Sequence, residues 1–89
     1  MPTVSLPPPQ YDHAYLNGPV VEYRLPLAEA RQVCAQWGLA YVDACAGIRT
    51  EDRACVIIIP ESAPDPITAH YEQHERGHCN GWGRDHPDE

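Results

Sequence analysis

Lysine is absent from this 89-residue chain, and its positive charge comes from six arginines at scattered positions. Thirteen acidic residues give a formal net charge of −7. A nucleic-acid-binding surface needs clustered positive charge, so no nucleic-acid partner is expected. The sequence also lacks any apolar run close to the ~20 residues that cross a bilayer, so no membrane partner is expected either.

A secretory signal is not apparent. The first residues have no basic start and no apolar core, whereas a signal peptide has both. The compartment therefore stays unknown at this stage, with the cytoplasm as the default expectation. A chain of this size has room for one domain with a small core, which a metal ion or disulfides would help to stabilise.

A Cys-x2-Cys zinc motif is also missing. The four cysteines are Cys34, Cys45, Cys55 and Cys79. Full oxidation would permit three pairings, and buried thiols in a reducing compartment are an equal alternative. Cys45 and Cys55 flank a predicted turn, where they would be able to face each other across a hairpin. The disulfide state is therefore left open by the sequence.

The pattern of apolar residues predicts a small α+β domain. Residues 1–19 form a Pro-rich extended segment, and residues 20–89 form a single domain. The predicted elements are a strand Val20–Leu25, a helix Leu27–Trp37 ended by Gly38, and a hairpin of Leu39–Ile48 with Ala54–Pro60. We expect a sheet of three or four strands, one supporting helix and one active-site helix. The run Cys55–Ile59 is apolar at every position, which predicts an inner strand covered on both faces.

A second helix is predicted from Asp65-Pro66 to about Cys79 or Asn80. Asp65 would cap its start, Pro66 suits its first turn, and Gly81 suits its end. It carries the sequence His74-Glu75-Arg76-Gly77-His78. Two histidines four positions apart project from one face of a helix, with the glutamate beside them. This spacing is typical of a zinc hydrolase, since two neutral imidazoles bind the metal and the carboxylate acts as base.

The expected chemistry is peptide-bond hydrolysis with zinc as cofactor. His74 and His78 would be metal ligands, and Glu75 would take a proton from the attacking water and pass it to the leaving group. Five residues with a phenol, imidazole or guanidinium group are candidates for stabilising the oxyanion: Tyr11, Tyr15, His13, Tyr71 and Arg84. The residues alone do not choose among these five.

The third metal ligand must come from outside this pair. His70 would lie roughly 12 Å along the helix axis from His78, too far to share its ion. Asp85 and His86 follow Gly81, and either can return to the metal because five residues span roughly 16 Å. We prefer His86 on ligand chemistry and keep Asp85 as the alternative. Asp12 or His13 of the Pro-rich segment would also be able to approach the site, although plain packing is the simpler expectation.

The segment from His74 to His86 resembles the zincin metallopeptidases, and this resemblance implies that residues 20–89 form a single zincin-like metal-binding domain. The residues after His78 are similar to the metzincin motif His-Glu-x-x-His-x-x-Gly-x-x-His: Gly81 matches, whereas Arg84 occupies the place of the last histidine. The run Cys79-Asn80-Gly81-Trp82 also resembles small phage- and plasmid-encoded proteins regarded as candidate metallopeptidases of unknown substrate. The zincin resemblance implies that the strand Cys55–Ile59 offers an edge to an extended peptide substrate.

Three other functions are compatible with the same residues. Zinc would be purely structural if Cys79 or Asp85 completed a closed ligand set. The domain would be a non-catalytic, zinc-stabilised interaction module of a phage or plasmid if the motif were degenerate. Alternatively, the hydrolysed bond would be another amide, such as a peptidoglycan peptide. Glu75 favours catalysis, because a structural site does not need it.

Overall fold

The computed structural model describes residues 4–87 and confirms the α+β class. Its elements are β1 (Val20–Leu25), α1 (Leu27–Gln36), β2 (Cys45–Ile48), β3 (Cys55–Pro60) and α2 (Asp65–Cys79). The three strands form one mixed sheet in the order β1-β3-β2. β1 is parallel to β3, and β2 is antiparallel to it. The sheet lies between the two helices.

β3 is the centre of the core, and every one of its residues is buried. Val56 and Ile58 pack with residues of α1 on one face. Cys55, Ile57 and Ile59 pack on the other face, against side chains that include Tyr71 of α2. The prediction of an inner strand covered on both faces is therefore confirmed. Full burial of such side chains stabilises a fold by about 1.5–3 kcal/mol each.

The central position of β3 corrects one expectation. β3 is hydrogen-bonded to a neighbour on both sides, so it has no edge to offer to a peptide. Within residues 4–87, β2 pairs with β3 alone, so its other edge faces outward. The hairpin itself is confirmed, although its first arm is shorter than predicted and begins at Cys45.

The ends of the helices follow local backbone chemistry. Gly38 follows Trp37, the C-cap residue of α1, and adopts a left-handed φ of 87°, a conformation that favours glycine. α2 begins with Asp65 as its first residue, preceded by Pro64, and no side chain caps it. The predicted capping role of Asp65 is therefore wrong. Its carboxylate lies in the first turn, where negative charge is favoured by the helix dipole.

All four cysteines are paired. Cys34 of α1 is bonded to Cys45 of β2, and Cys55 of β3 is bonded to Cys79 at the end of α2. The suggested pairing of Cys45 with Cys55 is wrong, because their register partners are Ile58 and Ile48. Each helix is thereby tied to the sheet. Disulfides persist in oxidising compartments and are rare in reducing ones.

Residues 5–15, the N-terminal strap, pack across α2. Pro7 and Pro8 are buried. The amide of Asn80 donates to the carbonyl oxygens of Tyr11 and His13, at 3.0 and 2.6 Å. The hydroxyl of Tyr15 donates to the carbonyl of Arg53 at 2.6 Å. These contacts hold the strap against the end of α2 and against the turn between β2 and β3. Among the described residues, no helix combines the length and apolarity needed to cross a membrane.

Candidate metal centre

His74, His78 and His86 converge on one point. Nε2 of His78 lies 3.2 Å from Nε2 of His74 and 3.1 Å from Nε2 of His86. The ligand atoms of all three lie within 4.8 Å of one another. Two nitrogens bound tetrahedrally to zinc at about 2.05 Å would be about 3.3 Å apart, by simple geometry. The two separations from His78 therefore match those of ligands that share one metal ion, and the three imidazoles together form a group that could hold such an ion.

Two backbone carbonyls fix the protonation of the rings. Nδ1 of His74 lies 2.5 Å from the carbonyl oxygen of Ser5, and Nδ1 of His78 lies 2.8 Å from that of Trp82. Carbonyl oxygens only accept hydrogen bonds, so each Nδ1 carries the proton. In the neutral rings both Nε2 atoms then bear lone pairs, and these face each other at 3.2 Å. Such a pair of acceptors is favourable when a cation lies between them.

Trp82 forms the floor beneath the histidines. It is 2% exposed, and its indole stacks on the ring of His78 with centroids 4.9 Å apart and planes 14° apart. Burial lowers the pKa of His78, and nearby His74, His86 and Arg84 lower it further, while the hydrogen bond to Trp82 acts in the opposite direction. A low pKa keeps the imidazole neutral, which is the form that binds metals.

The turn after α2 brings His86 back over the helix. Gly81 adopts a left-handed φ of 103°, which ends the helix, and His86 itself has a φ of 55°. The N–H of His86 donates to the carbonyl of Gly83 at 2.9 Å, and the indole N–H of Trp82 donates to that of Pro87, also at 2.9 Å. A left-handed φ at a non-glycine residue costs about 1–3 kcal/mol and is typical of functional sites.

Glu75 is buried in the wall of the same cavity. The cavity has a volume of about 370 Å³ and is lined by all three histidines, by Glu75, and on the opposite side by β2 and the residues before it. Glu75 is 4% exposed, and burial raises its pKa to about 8. A metal cation at the histidines would favour the ionised carboxylate instead. The chain thus places a buried carboxyl group in the same cavity as three imidazoles that could hold a metal ion.

The other predicted site residues lie elsewhere. Asp85 is exposed and is not a member of the metal-ligand group, nor are Asp12 and His13. Asp12 instead accepts from Gln73 at 2.8 and 2.9 Å and lies 3.7 Å from Arg76. Of the five oxyanion candidates, Arg84 is the one that lines the cavity. The hydroxyl of Tyr15 is engaged by the backbone of the β2–β3 turn.

Gly77 is the point where the strap crosses the helix. A Cβ at this position would lie 2.6 Å from Cβ of Pro7 and 3.3 Å from Cε3 of Trp82, so Gly77→Ala must displace the strap. We expect metal affinity to fall about 10- to 100-fold, because the carbonyl of Ser5 would move with the strap and no longer orient the ring of His74. Alanine also favours the helix by about 1 kcal/mol, so the melting temperature should change little. Competition with a chromophoric chelator measures the affinity.

The second variant Pro7→Gly tests this explanation of the Gly77→Ala effect. Removing the proline ring makes room for the new methyl group, so adding Pro7→Gly to Gly77→Ala should restore part of the lost affinity. An affinity of Gly77→Ala equal to that of the wild type would show that the strap does not position His74.

The Cys55–Cys79 disulfide anchors the end of α2 that carries His78 to the sheet, since Cys79 directly follows His78. Replacing both cysteines by serine should lower the free energy of unfolding by about 3 kcal/mol, because the disulfide would no longer close a loop in the unfolded chain. Metal affinity should fall as well. The double serine variant of Cys34 and Cys45 is the matched control, with a similar loss of stability and a smaller loss of affinity. Urea unfolding and chelator competition measure both quantities, and equal affinities would rule out an anchoring role.

Two contributors to the site were missed by sequence reasoning. Ser5 acts through its backbone carbonyl, which leaves no side-chain signal at that position. Trp82 entered only through the resemblance, and its place after Gly81 was the available clue.

A scan against protein-family models and searches of the curated proteins and of the solved structures found no match to this chain. His74, His78 and His86 form a group that is able to bind a metal ion.

Proposed function

We propose that this chain is a zinc-dependent hydrolase that cleaves peptide bonds. The observation that carries the proposal is the convergence of three imidazole nitrogens beside a buried carboxylate that lines the same cavity. Imidazole is the ligand that zinc prefers at catalytic sites, and three protein ligands leave a fourth position for water or substrate. Bound zinc supplies Lewis acidity, which acidifies water and polarises a carbonyl group.

The residues of the chain divide the work between them. His74 and His78 are held in the tautomer that directs Nε2 to the metal, by the carbonyls of Ser5 and Trp82. Glu75 takes the proton from the attacking water and later passes it to the leaving amine. Trp82 and the wall opposite the histidines limit the access of bulk water to this carboxylate.

The outer edge of β2 supports a peptide as substrate. The N–H of Arg49 donates to the carbonyl of Ala54, and hydrogen-bonded positions alternate along an antiparallel pair. The backbone groups of Ala46 and Ile48 therefore point away from β3. Both residues line the cavity of the histidines, so an extended peptide that pairs with this edge would lie beside the metal ligands.

A purely structural zinc site is less well supported. Cys79, a fourth ligand considered for such a site, is bonded to Cys55. Asp85, the other candidate, lies outside the ligand group of the described residues. A buried glutamate in the cavity wall would also lower stability without any benefit to a structural metal.

Metal content and peptide cleavage test the proposal together. Elemental analysis of protein purified without chelator should give about one zinc per chain. The zinc-loaded protein should cleave members of a peptide mixture, as read by mass spectrometry, and chelator should stop cleavage until zinc is restored. One zinc per chain without any cleavage would leave the alternative, a zinc-stabilised interaction module. No bound zinc would overturn the proposal.

A further inference from the structure

Two cavities meet at the outer edge of β2. The first contains the histidines and Glu75, and the second, of about 510 Å³, reaches Trp37 and Val56 on the α1 side of the sheet. Gly47, Ile48 and Arg84 line both. A ligand that extends from the histidines into the second cavity must therefore pass Arg84.

Arg84 differs from most other arginines in its charge environment. Four guanidiniums lie within 4 Å of a carboxylate, those of Arg24, Arg31, Arg49 and Arg76. Arg49, which also lines the second cavity, makes two hydrogen bonds to Asp52, of 3.0 and 2.8 Å. This pairing holds the pKa of Asp52 at about 2. Within residues 4–87, the guanidinium of Arg84 has no carboxylate within 4 Å, so its charge is available at the junction of the cavities.

We propose that Arg84 binds a carboxylate of the substrate, so that the preferred peptides carry a free carboxylate next to the bond at the metal. This inference rests on the proposed hydrolase and adds its substrate class. Guanidinium suits the task, because its planar N–H groups bind a carboxylate in a bidentate manner. The carboxylate has two possible sources, a peptide C-terminus or an acidic side chain.

The acidic balance of the chain does not oppose this binding. At physiological ionic strength, exposed charges more than about 8 Å away are largely screened. Close to the junction, the groups that matter are Arg84, the bound metal and the neutral pair of Arg49 with Asp52. Glu51 lines the second cavity and disfavours a second negative charge further along it, so the site favours one carboxylate near Arg84.

An NMR titration of ¹⁵N-labelled, zinc-loaded protein tests the inference. The probes are N-acetyl-Gly-Gly as the free acid, the same peptide as its C-terminal amide, and N-acetyl-Gly-Asp as its C-terminal amide. The Nε–H signal of Arg84 reports the bound carboxylate. We expect the free acid to bind about 3- to 10-fold more tightly than its amide, as for one charged pair at a partly exposed site. The third probe separates the two sources, since tight binding would show that a side chain is accepted.

Variants of Arg84 decide whether this residue causes the preference. Arg84→Gln should bind acid and amide equally, and Arg84→Lys should keep part of the preference. Arg53→Gln is the matched control, since Arg53 is exposed, lies outside both cavities and also has no carboxylate within 4 Å among the described residues. Equal binding by the wild type, or a preference that survives in Arg84→Gln, would overturn the inference.

The same titration separates this inference from the proposed hydrolase. The signal of Arg84 can be followed in metal-free protein and in protein that does not cleave. An acid preference without cleavage would keep the role of Arg84 and reject the hydrolase. Cleavage of acid and amide peptides at equal rates would keep the hydrolase and reject the role of Arg84.

Discussion

Replacing His86 by Ala is expected to lower zinc affinity by more than about 100-fold, the upper range for changes in groups that only support a ligand. The ring of His86 lies 3.1 Å from that of His78, and its loss would leave two protein ligands for the ion. Catalytic zinc sites have three protein ligands and structural zinc sites have four, so two ligands should hold the ion only weakly. The stoichiometry after gel filtration, by elemental analysis, and chelator competition measure the loss.

Asp85→Ala is the control for His86→Ala, because the two residues are neighbours in the same turn and were the competing candidates. Asp85 is exposed and outside the ligand group, so its replacement should change the affinity by less than about threefold, the ordinary effect of a surface substitution. If Asp85→Ala caused the larger loss, the third ligand would be assigned to the wrong residue.

A second variant, His86→Asn, separates loss of the ligand from backbone strain. His86 has a left-handed φ of 55°, and Asn tolerates this conformation better than Ala does. Both variants should lose the metal equally if the imidazole is what matters. A loss confined to His86→Ala would show that the conformation of the turn, rather than the ring, sets the affinity.

The sequence predicted the parts of this fold that depend on local pattern. The apolar run of β3, the spacing of His74 and His78, and the glycine after α2 each act within a few residues, so their outcome can be read without the rest of the chain. The strand order cannot be predicted in this way, because β1 pairs with β3 although α1 and β2 lie between them in the sequence. The substrate edge expected on β3 came from the zincin resemblance, and it is absent because β3 pairs with a strand on each side.

Contacts made by backbone atoms were beyond sequence reasoning. The carbonyl of Ser5 orients His74, although the two residues are 69 positions apart in the sequence. Any residue supplies a carbonyl, so the identity of Ser5 gives no signal. The disulfide partners were equally hidden, since the loops between cysteines do not distinguish the three pairings. Gly77 did carry a signal. A glycine within a helix costs up to about 1 kcal/mol relative to Ala, and such a cost indicates close approach of another segment, here Pro7 of the strap.

Glu75→Gln is expected to keep the zinc and lower turnover by about 10²- to 10⁴-fold, the usual contribution of a general acid or base. Gln has nearly the same shape as Glu and is neutral. The buried carboxyl group of Glu75, with a pKa of about 8, is also mostly neutral in the metal-free protein at neutral pH. The fold and the three imidazoles should therefore be unaffected. The amide, however, cannot accept the proton of the attacking water, nor return it to the leaving amine.

Glu72→Gln is the matched control for Glu75→Gln, because Glu72 lies on the same helix but outside the cavity of the histidines. Single-turnover cleavage of a peptide substrate, with zinc content measured on the same samples, gives the comparison. Wild-type and Glu72→Gln rates should agree within about threefold, as expected for a position remote from the chemistry. Turnover that persists in Glu75→Gln would mean that another group activates the water. Loss of zinc in Glu75→Gln would instead place this carboxylate among the groups that hold the metal, and the reaction would then need a different base.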